Sequence, residues 1–148
     1  MQHHSHDCSD ELHQASLRVT PVRLAILHAF ETTDEPLDVA SIEQMLKRQH
    51  IRADKVTLFR TVNALSEKGI VVPIQLNEGK MRYEYANRED HHHFVCDRCG
   101  DIQDIPGCAA RAAADDLSKH GITVSRHTME FFGLCADCAK PKAGGRSI

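Results

Sequence analysis

Apolar residues recur first with a helical period along this chain and then with an alternating one. Thr20-Pro21 opens a helix, a hydroxyl cap followed by proline at the first helical position. Val22, Ile26, Ala29 and Phe30 then line one face, and the run Thr32 to Pro36 breaks the pattern. Asp38 caps a second helix with Val39, Ile42, Met45 and Leu46 inward. A third runs over Lys55 to Lys68 with Leu58, Val62 and Leu65 inward, and Gly69 is its stop. Ahead of them the spacing predicts a short helix over Asp10 to Leu17, and the first eight residues read as a mobile arm. Ile70 to Ile74 is strand-like, Asn77-Glu78-Gly79-Lys80 carries turn chemistry, and Met81, Tyr83 and Tyr85 alternate with Arg82 and Glu84. Three helices and a hairpin form the winged helix-turn-helix order, with the last helix as reader and the hairpin as wing.

The second half alternates differently. The polar stretch Asn87 to Asp90 reads as a hinge. Beyond it the pattern predicts a strand over Phe94 to Cys96, a Cys-x-x-Cys turn and a strand around Ile102 to Ile105. A helix follows over Ala109 to Lys119, stopped at His120-Gly121, then a strand region over Ile122 to Phe132 leading to a second Cys-x-x-Cys. The tail after Lys140 is rich in Lys and Gly and reads as disordered. The expectation is an α+β chain of two domains, 1–86 and 87–148, which 148 residues accommodate.

Composition narrows the compartment and complicates the partner. No apolar run reaches the roughly 18 residues of a membrane span, and no export signal follows the start, so the cytoplasm is expected. A net charge of −3 argues mildly against nucleic acid as a partner. Charge is uneven, however: Lys47, Arg48, Arg52, Lys55, Arg60 and Lys68 face only Asp54 and Glu67 in that stretch. A local basic face supplies phosphate contacts while the remaining surface stays acidic; a plain solvated helix face is the alternative.

The six cysteines and eleven histidines carry the chemistry. Cys96-x-x-Cys99 and Cys135-x-x-Cys138 each let two sulfurs point at one ion, and together they complete a tetrahedral four-sulfur site without an open position. That describes a structural zinc site, against two redox-active or disulfide pairs. Cys8 and Cys108 fall outside the pattern and read as ordinary thiols. If residues 91 to 93 are extended, His91 and His93 share a face and His92 turns away. Glu84 and Asp104 could then complete an N2O2 site suited to zinc, iron or manganese, against a solvated histidine run. No His-Glu-x-x-His pattern or nucleophile constellation is present, so no catalytic residue is assigned. A zinc enzyme or a zinc store remain as rival classes.

These residues in this order resemble the ferric uptake regulator family. The match runs through Thr20-Pro21-x-Arg23, Thr57-Leu58-Phe59-Arg60-Thr61-Val62-x-x-Leu65-x-x-x-Gly69 and Tyr83-Glu84. It continues through His91-His92-His93-x-x-Cys96-x-x-Cys99-Gly100 to Cys135-x-x-Cys138, covering about residues 10 to 138. The resemblance implies a winged helix, an α/β dimerisation domain, and a homodimer that closes on an AT-rich inverted repeat of double-stranded DNA. It implies a metal-dependent repressor governing metal homeostasis or the peroxide response, with a zinc sensor or a metal-independent, redox-governed DNA binder as alternatives. It assigns structural Zn2+ to Cys96, Cys99, Cys135 and Cys138. Regulatory Fe2+, Mn2+ or Zn2+ falls to Glu84, His91, His93 and Asp104, and DNA contacts to Lys55, Thr57, Phe59, Arg60 and Arg23. Phe59 stands where the family usually has Tyr. Two departures stand out. Pro36 and Leu37 occupy the stretch where the family's sensor site takes a further histidine, with Glu35, Asp38, His28 or the N-terminal arm as substitutes. An additional family site keeps His92 and His127 but finds no carboxylate near Ala110 and Arg111, so it is expected to be weak or absent.

Overall fold

Short polar side chains start the helices of the first half. The computed structural model describes residues 7–76 and 79–141, and the chain divides into two compact units, Met1–Asn87 and Arg88–Ile148. In the first unit, α1 spans Cys8–Gln14, α2 Pro21–Thr32, α3 Val39–Arg48 and α4 Lys55–Glu67. Asp7, Thr20, Asp38 and Asp54 each accept a backbone N–H from the first turn of the helix that follows. The first helix therefore begins earlier than its apolar spacing suggests, at Cys8 rather than Asp10. It also ends earlier, because Ser16 turns left-handed (φ 59°) and Leu17 N–H closes back on the Leu12 carbonyl. Cys8 thus belongs to a helix and not to a mobile arm; residues 1–6 lie outside the described residues, as do the Lys/Gly-rich residues 142–148.

Gly69 ends α4 as its position suggests: at φ 72° it lets Ile70 N–H reach the Leu65 carbonyl, a conformation that would strain any residue with a Cβ. The chain then enters the antiparallel pair β1 (Val71–Ile74) and β2 (Arg82–Tyr85). Asn77 and Glu78, the turn residues expected between them, lie outside the described residues. Tyr83 exchanges both backbone hydrogen bonds with Leu37, at 2.8 Å each. Its N–H and C=O therefore face away from β1, which lets Pro73, its partner in β1, lack an N–H at no cost. The core gathers Leu12, Ile26, Leu27, Phe30, Ile42, Leu46, Leu58, Val62 and Leu65. On β2 the buried residue is Glu84, not the alternating tyrosines, which are only half-buried.

In the second unit, β3 (His91–Cys96) is central. It pairs antiparallel with β4 (Ile102–Pro106) and parallel with β5 (Glu130–Gly133). Helix α5 covers Ala110–Lys119, and α6 is one turn, Ala136–Ala139. The strand expected over Ile122 to Phe132 is largely not formed: only its end pairs, while 122–129 has no ladder partner among the described residues. Alternation marks a residue as able to join a sheet, but backbone pairing makes the strand.

Asp38 ties the first unit together. Its carboxylate accepts from Ser41 N–H at 2.7 Å and pairs with Lys80 Nζ at 2.7 Å. Burial opposes its charge, but Lys80 and the Ser41 amide outweigh that and hold the carboxyl down at about 2. A depressed carboxyl stabilises the fold above its unfolded value, about 3.9, and that contribution fades as pH falls towards 2. Asp38→Asn should therefore lower stability by on the order of 1–2 kcal/mol at pH 7. In urea melts the difference from wild type should shrink between pH 4 and pH 2; a constant difference would remove the charge from the account.

Candidate metal centres and nucleic-acid interface

The two Cys-x-x-Cys turns meet at the end of the second unit's sheet. Cys96 closes β3, and Gly100 turns at φ 74° so that its N–H returns to the Cys96 carbonyl at 2.9 Å. Asp97 N–H binds the Gly133 carbonyl at 2.7 Å, which docks the first turn against the end of β5. Cys135 and Cys138 flank the start of α6. The four sulfurs lie within 4.8 Å of one another, and all four cysteines are free. Amide N–H groups of Cys99 and Cys135 converge on the Cys96 sulfur and hold its thiol down at about 6. The Cys135 sulfur and burial push Cys138 up to about 12. One thiolate thus forms readily and discourages the next, an arrangement whose accumulated negative charge a divalent cation would neutralise. The donor set suits a structural zinc.

Period-two geometry sorts the three histidines of β3. His91 and His93 share one face with ring centroids 4.9 Å apart, while His92 turns to the other side. His91 Nδ1–H donates to the Glu89 carbonyl at 2.7 Å, which leaves Nε2 as the lone-pair nitrogen. That nitrogen accepts from Arg88 at 3.3 Å, and the same guanidinium pairs with Asp104. Asp104 stands opposite His93 in the β3–β4 register, with Oδ1 3.7 Å from His93 Nε2. Glu84 lies in the first unit, buried on β2 opposite Val72.

His92 finds different company. With Cys108 and His127 it forms a second group whose donor atoms lie within 4.8 Å of one another. Cys108 Sγ and His127 Nε2 are 3.1 Å apart. His92 Nε2 is sealed from solvent and has no hydrogen-bond partner among the described residues. The Cys108 thiol, expected from the sequence to be an ordinary one, thus lies beside two imidazoles. Gly107, at φ 82° just past β4, turns the chain to place it there.

The face of α4 away from the core presents Lys55, Val56, Thr57, Phe59 and Arg60, with Phe59 51% exposed. Leu58, Thr61, Val62 and Leu65 are buried on the opposite face. An open groove of about 710 Å³ lies between the ends of α3 and α4, lined among others by Lys47, His50, Arg52 and Thr57. Arg23 sits elsewhere: its guanidinium donates to the Arg18 carbonyl at 2.8 Å, fixing the entry to α2.

A sequence profile of the ferric uptake regulator family matches residues 14–132. The chain belongs to the ferric uptake regulator family. It is 31% identical over 125 residues to the zinc uptake regulation protein of Mycobacterium tuberculosis, covering 84% of this chain and 96% of that one. Over 130 residues it is 28% identical to the ferric uptake regulation protein of Neisseria meningitidis, covering 86% and 90%. Its fold matches that of the Vibrio cholerae ferric uptake regulator with a TM-score of 0.76 at 23% identity, covering 87% of this chain and all of that one. It is a metal-responsive transcriptional regulator of this family.

The Pro36-Leu37 stretch is engaged within the first unit. Leu37 bridges Tyr83, the Pro36 carbonyl accepts from Arg82 at 3.0 Å, and Asp38 is occupied by α3 and Lys80. His28 faces Cys8 and Glu31 instead. The grouping of Cys108 with His92 and His127 was not foreseen from the sequence.

Within one chain, the described residues of the second unit bury few apolar side chains, Val95, Cys96, Ile102 and Cys135 among them. Zinc at the four sulfurs, with binding free energy on the order of 10 kcal/mol, should therefore be folding energy for that unit. Cys135→Ser should eject zinc and collapse the amide NMR signals of 88–141 while those of the first unit persist. A well-dispersed second unit without zinc would refute this dependence.

Proposed function

We propose that this regulator is a cytoplasmic repressor that binds an AT-rich inverted repeat of double-stranded DNA as a homodimer, through α4, when a regulatory metal occupies Glu84, His91, His93 and Asp104. The reading rests first on His91 and His93: they share one face of β3, His91 has its tautomer fixed, and both lie just past the boundary between the units. Glu84 precedes His91 by seven residues, 84 to 91, on the other side of that boundary. A cation held by both units favours one relative orientation of the reader helices, and the gain in DNA binding equals its differential affinity for that state. Imidazole and carboxylate donors take Fe2+, Mn2+ or Zn2+. The chain acts by binding rather than by catalysis.

Lys55, Thr57 and Arg60 supply phosphate and base contacts, and Phe59 offers an apolar ring to a thymine methyl. Arg23 supports the fold through Arg18 and contributes to DNA binding only by its charge. Dimerisation falls to the second unit, where Ile105, Leu117, Ile122, Val124, Phe131, Phe132 and Leu134 remain exposed. The unpaired segment 122–129 is available to that interface. His92 and His127, weak candidates from the sequence, gain Cys108 as a third donor, and that set would favour zinc. Among the described residues no helix is long and apolar enough to cross a membrane.

A metal-independent or redox-governed DNA binder is the second reading, favoured by Pro36 and Leu37, which offer no metal-ligating side chain. Fluorescence anisotropy on an inverted-repeat duplex at fixed salt, with the structural zinc in place, separates the two. Titrating Mn2+, Zn2+ or anaerobic Fe2+ should tighten binding at least tenfold, and His91→Ala should abolish that response while zinc content and dimer mass stay unchanged. Equal affinity with and without metal would favour the second reading. Arg88 presents a positive charge to Asp104 and to His91 Nε2, so a metal must displace it. Arg88→Gln is expected to lower the Mn2+ concentration for half-maximal response several-fold; a weaker response would make Arg88 a support of the site rather than a competitor.

A further inference from the structure

Where α1 crosses α2, a cluster of ligating side chains lies apart from the proposed sensor set and the four sulfurs. Cys8, the first residue of α1, donates its thiol proton to Glu31 Oε2 at 2.9 Å. His28 and Glu31 are three residues apart on α2 and so are neighbours on one helical face. One donor atom from each of Cys8, His28 and Glu31 lies within 4.8 Å of the other two. The remaining carboxylate oxygen, Glu31 Oε1, is sealed from solvent and has no hydrogen-bond partner among the described residues. A sealed, unpartnered carboxylate oxygen is unfavourable, and a bound cation would relieve it.

We propose that Cys8, His28 and Glu31 form a metal site within the winged-helix unit that takes Zn2+ or a similar first-row divalent cation. Thiolate, imidazole and carboxylate together select this class and disfavour Mg2+ and Ca2+, which require all-oxygen shells. Zinc bonds of roughly 2.0–2.3 Å put tetrahedral ligand atoms about 3.3–3.8 Å apart, so small side-chain rotations bring these three donors into place. Binding exchanges a proton for the metal: the thiol S–H breaks, its proton leaves to solvent, and the sulfur's electron pair forms the metal bond without any change of oxidation state. Three protein donors leave a fourth position for water, and His28 is exposed, so the ion can enter and leave. Occupancy would clamp α1 to α2. Otherwise α1 is held by Leu12 in the core and by the hydrogen bond that Tyr85 donates to Glu11 at 3.1 Å. The site shares no ligand with the sensor set, so it stands or falls independently of the regulatory reading.

Cobalt titration of the full-length protein tests it. The four-cysteine site is first filled with zinc, zinc release is monitored, and Cys108→Ser removes the thiol at the other candidate group. One equivalent of Co2+ should then raise a thiolate-to-cobalt charge-transfer band, because the His91 and His93 side contributes no sulfur. Cys8→Ser should abolish the band. His28→Ala, at an exposed position that does not threaten folding, should weaken cobalt binding at least tenfold. His91→Ala should leave the band intact while removing the metal response of DNA binding, so the two proposals fail separately. Absence of a thiolate band, its persistence in Cys8→Ser, or an unchanged titration in His28→Ala would overturn the site.

Discussion

Convergence of four sulfurs in the second unit is the constraint on which its structure depends. Its sheet has three short strands, and α5 buries no residue. Apolar burial within one chain is correspondingly small there. The two cysteine turns do what a larger core would otherwise do: they join the end of β3 to the segment after β5. The amides that converge on Cys96 prepare the first thiolate, and the crowding of the others makes a cation the natural neutraliser.

Once β3 is fixed in the centre of that sheet, its pleat decides what the histidine run does. Adjacent residues in a strand point to opposite faces, so one motif serves two clusters. His91 and His93 join Arg88 and Asp104 on one side. His92 meets Cys108 and His127 on the other. A one-residue change of register would exchange these roles, and the parallel pairing with β5 together with the antiparallel pairing with β4 prevents it.

The first unit is governed by a different economy, in which few side chains each do two jobs. Asp38 caps α3 and pairs with Lys80, and Leu37 fills the core and supplies the backbone partner of β2. The reader helix gains from this rigidity, because its buried face of Leu58, Val62 and Leu65 fixes which residues remain outside.

Much of this was legible in the sequence, for a physical reason. Caps at Thr20 and Asp38, the stop at Gly69, the apolar faces of three helices and the paired cysteines are local, and local chemistry is written in neighbouring residues. Family membership followed from the joint order of those motifs. Tertiary structure alone decided three matters. The chain bends at Ser16 and begins α1 at Cys8, which brings Cys8 against His28 and Glu31, partners 20 and more residues away. Gly107 delivers Cys108 to His127, a partner that Cys108's own neighbours do not announce. The stretch from Ile122 alternates like a strand and yet stays unpaired along most of its length. A strand and a metal site are relations between distant segments, and no single segment encodes its partner.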